Sequence, residues 1–226
     1  MYASEVFGVD AQIGRLVNDI KTAGMWDRTI LVFGEDHGEE LFAHNSYGYH
    51  DCSYYDQTVG TTWLVRAPGQ ALTSGTYDPW VSTVDITPTI LDLAGVPFTS
   101  PMEGMALTDV LLRQENLDRP VFFERSQETA GVVYDGHTLV HNEALSFPDC
   151  DPFSETSGAY ETTENVEMYD LVADPSQSTE LSDSDPDLAD NLTVVLCDWV
   201  NTSYWDHNLD GGDRMSNLST FCKGVY

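Results

Sequence analysis

Positive charge is the scarcest commodity in this chain of 226 residues. Lys and Arg together number 9 against 38 Asp and Glu, giving a formal net charge of −29 and a pI near 4.1. Between Arg125 and Arg214 neither basic residue occurs. Such a field repels nucleic acid and anionic membrane, so neither is an expected partner. An anionic substrate would need a local positive centre, either a metal ion or converging His and Arg side chains. Long apolar runs are missing as well: no stretch approaches the ~18 residues of a membrane-spanning helix, and MYASEVFGVD lacks the basic and apolar regions of a signal peptide. Cysteine is sparse. Cys52, Cys150, Cys197 and Cys222 are an even number without Cys-x-x-Cys spacing, which excludes a zinc ribbon or thioredoxin-like motif. One or two disulfides in an exported protein and four thiols in a cytosolic one both remain compatible with that count. No internal repeat occurs.

What is present fits a folded α/β protein. Hydrophobic residues make up 41%, enough for a sizeable core at this length. Val6, Val9, Ile13, Leu16, Val17 and Ile20 recur at spacings of three and four, predicting an amphipathic helix that stops before Gly24. Thr29 to Phe33 reads as a strand buried on both faces, and helix followed by buried strand predicts a parallel sheet. Thr61 to Arg66 is a second strand, closed by Pro68-Gly69. The stretch from Asp85 to Gly95 carries helix signals, with Thr87 as N-cap, Pro88 in the first turn and Gly95 after the last.

Beyond Arg119 the pattern changes. Val121 to Glu124 is a predicted strand, and Val132 to Val140 a hairpin about Asp135-Gly136. Residues 144 to 163, rich in Ser, Thr, Asp and Gly, read as a surface loop. A last helix runs from Pro186 to about Trp199 with Leu188, Leu192, Val195, Leu196 and Trp199 on one face.

The chemistry concentrates in VFGEDHGEEL, residues 32 to 41. A strand ending at Phe33 delivers Asp36 and His37 to the carboxyl edge of a sheet, where open α/β folds place ligands. A carboxylate and an imidazole on adjacent residues can share one divalent ion. Gly38 would let the backbone turn sharply beside them. Within fourteen residues of Asp36 come His44 and His50. Histidines there suit binding an anionic ester and protonating its leaving oxygen.

Several blocks in order, VDAQIGRLVNDIKTAGMWDRTILVFGEDHGEEL, then two histidines, YYDQTVGTTWLVRAPG and VSTVDITPTILDLAGV, resemble the sulfatase family of the alkaline phosphatase-like superfamily. Downstream, VVYDGHTLVHN and VEMYDLVADPSQSTELSD resemble that family's C-terminal hairpin and closing strand. The resemblance implies a partial alkaline phosphatase-like open sheet with flanking helices over residues 1–118, followed by a small antiparallel β plus helix subdomain over 119–226. It implies that Asp36 and His37 ligate a divalent metal, calcium first and manganese as the alternative, and that His50, or else His44, binds the transferred group and assists the leaving oxygen.

The implied substrates are sulfate esters, small or glycan, and the implied location is periplasmic or extracellular. The family's Cys/Ser-x-Pro-x-Arg nucleophile motif is not found; Cys150-Asp-Pro-Phe-Ser154 ends in Ser where Arg is required. The expectation is therefore the C-terminal half of a sulfatase domain, inactive alone and associating through an open sheet edge. His at position 37, where sulfatases more often have Asn, keeps phosphate or phosphonate ester hydrolysis as the alternative, and a truncated non-catalytic relative as another.

Overall fold

The structure is a computed structural model that describes residues 2–41, 43–45, 50, 53–70, 72, 74–98, 102–113, 117–125, 129–142, 146–147, 160–161, 166–202, 221–222 and 225. Helix α1 (Tyr2–Thr22) follows the apolar spacing read from the sequence. Gly24, at φ +66, stops it in the left-handed conformation, while Met25 N–H donates to the Ile20 carbonyl. None of the helix residues is buried, and Val6, Phe7, Val9 and Leu16 are more than half exposed.

Strand β1 (Leu31–Gly34) pairs with β2 (Trp63–Arg66), Leu31 opposite Arg66 and Gly34 opposite Trp63. Between them lies α2 (Asp56–Val59). The pair is antiparallel, which corrects the parallel sheet expected from the sequence. A parallel pair needs a crossover of a dozen or more residues, usually a helix, and the described residues between these strands hold only that four-residue helix and one short 3₁₀ turn. Nor is β1 buried on both faces: Leu31 to Phe33 are half-buried and Gly34 is exposed, because among the described strands β1 has one neighbour. The connection from α1 is fastened by Arg66. Its guanidinium lies 3.9 Å from the centre of the Trp26 ring and donates to the carbonyls of Trp26 and Thr29 at 2.7 and 2.6 Å.

Helix α3 (Ile86–Leu93) follows a 3₁₀ turn, Thr83–Asp85, closed by a capping box between Ser82 and Asp85. Thr87 therefore lies inside the helix and Asp85 takes the N-cap position, a shift of two residues from the sequence expectation. Pro88 sits in the first turn, where its missing N–H is no loss, and Gly95 follows at φ +66. Helix α4 (Thr108–Arg113) comes next.

The C-terminal sheet is antiparallel, built from β3 (Val121–Arg125), β4 (Thr129–Tyr134) and β5 (His137–Asn142). After a short ribbon of β6 (Ser146–Phe147) and β7 (Tyr160–Glu161), β8 (Val166–Asp170) adds beside β5, giving the order β3-β4-β5-β8. The hairpin turns at Asp135-Gly136, both at positive φ (47° and 77°), as a tight hairpin of this type requires.

Alternation along the strands divides the sheet. Ala130, Val132, Leu139 and Met168 face α5 (Pro186–Thr202), packing on Leu192, Leu196, Cys197 and Val200. The helix is a turn longer than the sequence predicts, and the Cys197–Cys222 disulfide ties its buried face to the chain end. Cys52, Cys150 and the Cys150–Pro152 stretch lie outside the described residues. The opposite face of the sheet carries Thr138, Asn142, Glu167 and Tyr169, all buried. It meets the segment that follows the histidines: Tyr54 stacks toward Phe123 at 6.4 Å and Tyr55 meets Tyr169 edge-on at 5.8 Å.

Candidate functional site

The site is assembled at the end of β1. Asp36, with 90% of its side chain exposed, accepts the N–H of His37 at 3.0 Å on Oδ1. The His37 ring places Nδ1 2.9 Å from the Gly38 carbonyl. A carbonyl can only accept, so that nitrogen carries the proton. In the neutral ring Nε2 is then a lone-pair donor, 3.7 Å from Asp36 Oδ2. Two electron-rich atoms facing each other across that gap invite a proton or a cation. Holding the ligating ring through its other nitrogen is how metal-binding histidines are generally oriented.

Gly38 serves the site differently from the sharp turn the sequence implied. Its N–H donates to the Thr58 carbonyl at 2.7 Å, and a Cβ there would come within 2.0 Å of the Gln57 carbonyl oxygen. The glycine allows the two backbones to touch, which locks the Asp36-His37 loop onto α2.

His50 joins this group. Its ring lies 4.5 Å from that of His37, and its Nδ1 is 3.4 Å from Glu39 Oε1. His44 makes its contacts elsewhere. At φ 50°, ψ 37° it stacks on Tyr55 with ring centres 3.6 Å apart and planes 15° from parallel. Burial lowers its pKa from the ordinary histidine value, opposed by a hydrogen bond to the Ser176 backbone and by the Asp174 and Glu40 carboxylates. The structure thus brings three of the four sequence candidates together and sets the fourth on an aromatic support.

Beside Asp36 and His37 opens a cleft of about 970 Å3, lined also by Asp56, Trp80, Arg119 and Trp199. Burial, and then the charge of Asp78, hold the Asp56 carboxyl above its ordinary pKa. Sequence reasoning missed Glu39, Tyr55 and Asp56. The run of acids after Asp36 was the one available signal for Glu39; nothing local marked the other two.

Whether a divalent ion fits can be judged from the donor set. Among the described residues no three His, Cys, Asp or Glu side chains converge, so Asp36 and His37 offer two donors of the six or so that calcium takes. Their chemistry and their mutual orientation fit a partial set.

Residues 1–96 match the sulfatase family model. The chain is 27% identical over 195 residues to arylsulfatase K of Gallus gallus, covering 85% of this chain and 35% of that protein. It is 28% identical over 183 residues to the N-acetylglucosamine-6-O-sulfatase of Bacteroides thetaiotaomicron, covering 80% and 31%. A solved structure in complex with its substrate D-glucosamine-2-N,6-O-disulfate superposes with a TM-score of 0.65 at 23% identity, covering 87% of this chain and 39% of that one. The chain spans about a third of the length of the curated relatives it matches.

The fold over most of the chain is that of the solved structure it superposes on, and residues 1–96 are similar in sequence to the sulfatase family. The sulfatases, to which the chain is thus similar, are a family that generally uses a divalent metal.

Proposed function

We propose that the site at the end of β1 serves the hydrolysis of sulfate esters, sulfated glycans among them, with Asp36 and His37 as metal ligands and His50 as the leaving-group histidine. The observation that carries this is the pairing of His37 Nε2 with Asp36 Oδ2 beside the His50 ring. A divalent cation, when bound, supplies positive charge for the ester oxygens; calcium suits the carboxylate, and the imidazole also admits manganese. Gly38 O keeps the His37 proton on Nδ1. Glu39 faces His50 Nδ1, so proton transfer to the leaving oxygen runs through Nε2. His44, whose pKa burial lowers, is the alternative histidine for donating a ring N–H hydrogen bond to the leaving oxygen.

The 226 residues contain no Cys/Ser-x-Pro-x-Arg motif, so covalent attack is not among the steps these residues supply. One further feature supports an oxidising location outside the cytoplasm, the Cys197–Cys222 disulfide. A phosphate or phosphonate ester is the second reading, favoured by His at position 37.

The test is ligand-observed NMR with 4-nitrophenyl sulfate and 4-nitrophenyl phosphate, with and without calcium, alongside calorimetric titration of the ion. Calcium should bind weakly, strengthen sulfate-ester binding, and lose both effects in Asp36→Ala. A sub-micromolar calcium site would refute the two-donor assignment. Preference for the phosphate ester would transfer the function to the second reading, and steady nitrophenol release abolished by Asp36→Ala would show that turnover needs no nucleophile motif.

A further inference from the structure

His44 occupies a backbone conformation that an L-residue adopts only when its surroundings hold it there, at φ 50° and ψ 37°. What holds it comes from the far end of the chain. Tyr55, on which the imidazole lies, donates its hydroxyl to Glu167 Oε2 at 3.3 Å. Glu167 is 8% exposed on β8. The same oxygen receives the Tyr169 hydroxyl at 3.0 Å, and Oε1 receives the Asn142 amide at 3.3 Å. Burial, ahead of the Glu167 charge, pushes the Tyr169 pKa far up, so that phenol stays a donor. A buried carboxylate surrounded by neutral donors stabilises a fold less well than apolar packing would. What the arrangement provides is direction: it fixes the plane and the reach of the Tyr55 ring.

A second grip acts beside the first. Gln177, 2% exposed and itself at φ 50°, directs Oε1 to the Asp56 N–H at 2.6 Å. Its turn is tied by Asp174, which accepts from Ser176 Oγ, Ser178 N–H and Thr179 N–H at 2.7 to 2.8 Å. The Ser176 backbone in that turn is also where the His44 ring forms its hydrogen bond. One face of the C-terminal sheet and the turn after β8 therefore form the wall on which His44 rests.

We propose that Glu167 and Tyr55 are positioning residues for His44, with the buried carboxylate holding the Tyr55 ring as a platform that presents the imidazole to the ester. The positioning is independent of what the site hydrolyses; the destination of the imidazole rests on the sulfate-ester reading above.

The experiment is histidine-labelled NMR on the 226-residue protein. In the wild type, His44 ring signals should show the upfield displacement of a stacked ring and a titration midpoint below that of an ordinary histidine. Tyr55→Phe and Glu167→Gln change few atoms, and each should reduce that displacement and return the His44 midpoint toward the ordinary value while His137 stays unmoved. Tyr134→Phe removes a hydroxyl of the same sheet that bonds Asp118 rather than Glu167, and should leave the His44 signals in place. Unchanged His44 signals in folded Tyr55→Phe and Glu167→Gln would overturn the proposal. So would equal movement in Tyr134→Phe or across all histidines, or loss of folding in both near-isosteric variants, since each would mark a purely structural cluster. His44 moving as expected while sulfate-ester binding stays unchanged would count against the hydrolase reading instead.

Discussion

Replacing Asp85 by Ala should be among the most damaging single changes in the chain, and the structure fixes its size. The carboxylate is fully buried. It accepts the Ser82 N–H at 2.9 Å and the Met105 N–H at 2.8 Å, and pairs with the Arg119 guanidinium. One side chain thus joins the entry to α3, the segment before α4 and the start of β3. Removing one partner of a buried ion pair costs about 3–5 kcal/mol, because the other charge is left uncompensated. Arg119 keeps 22% of its side chain exposed and regains some hydration, which lowers the figure. The two stranded amides raise it again, at roughly 1–3 kcal/mol each before relaxation. The terms are not additive, and about 4 kcal/mol is the expected loss.

Urea unfolding of the wild type, Asp85→Ala, Arg119→Met and the double variant measures both the loss and the coupling. The Arg119 change should cost much less in the Asp85→Ala background than in the wild type, giving a coupling of at least ~1 kcal/mol. A loss below about 1 kcal/mol for Asp85→Ala, or no coupling, would refute the reasoning.

Other outcomes follow from the same physics. Reducing the Cys197–Cys222 bond, which closes a separation of 25 residues, should destabilise the chain by about 3.5 kcal/mol on the loop-entropy relation, read as a Tm drop in reductant that Cys197→Ser reproduces. His44 and His141 both have pKa values lowered by burial. The folded state then binds fewer protons than the unfolded chain, so their contribution is complete above about pH 6.5 and is lost as pH falls through their depressed values. Thermal melts from pH 7.5 to 5 should show that decline, flattened in His141→Gln. The net charge of −29 opposes compactness, and salt screens it over roughly 10 Å at 0.1 M, so Tm should rise with sodium chloride. The β1–β2 edge and the apolar face of α1, both without a cover among the described residues, should drive association in sedimentation runs, and a compact monomer with a salt-independent melt would contradict both statements.

Local signals were read correctly from the sequence. The Asp135-Gly136 hairpin, the end of α1 at Gly24 and the apolar face of α5 each depend on residues a few positions apart, and the structure has them where the pattern places them. Asp36, His37 and His50, grouped in the sequence, also lie together in space. The errors concern partners. The residues of β1 resemble those of any apolar strand, and its antiparallel neighbour was set by the missing crossover helix. Gly38 carried no sign that it touches Gln57. Glu167 and Gln177 read as ordinary polar residues of a strand and a turn, because their partners Tyr55 and Asp56 are 112 and 121 positions away.

That separation gives the site a history in time. At about 5–20 residues per second, synthesis of the 121 residues from Asp56 to Gln177 takes roughly 6 to 24 s. Glu39 and His50 can meet as soon as their own segment is free. Tyr55 and His44 must wait for the last sheet strand and its following turn to emerge. During that interval the Tyr55 platform has no tether, its apolar surface is open to chaperones and to neighbouring nascent chains, and His44 has no reason to leave the common regions of backbone space. Two histidines only six residues apart therefore mature at different moments, one with its own loop and the other with the end of the protein.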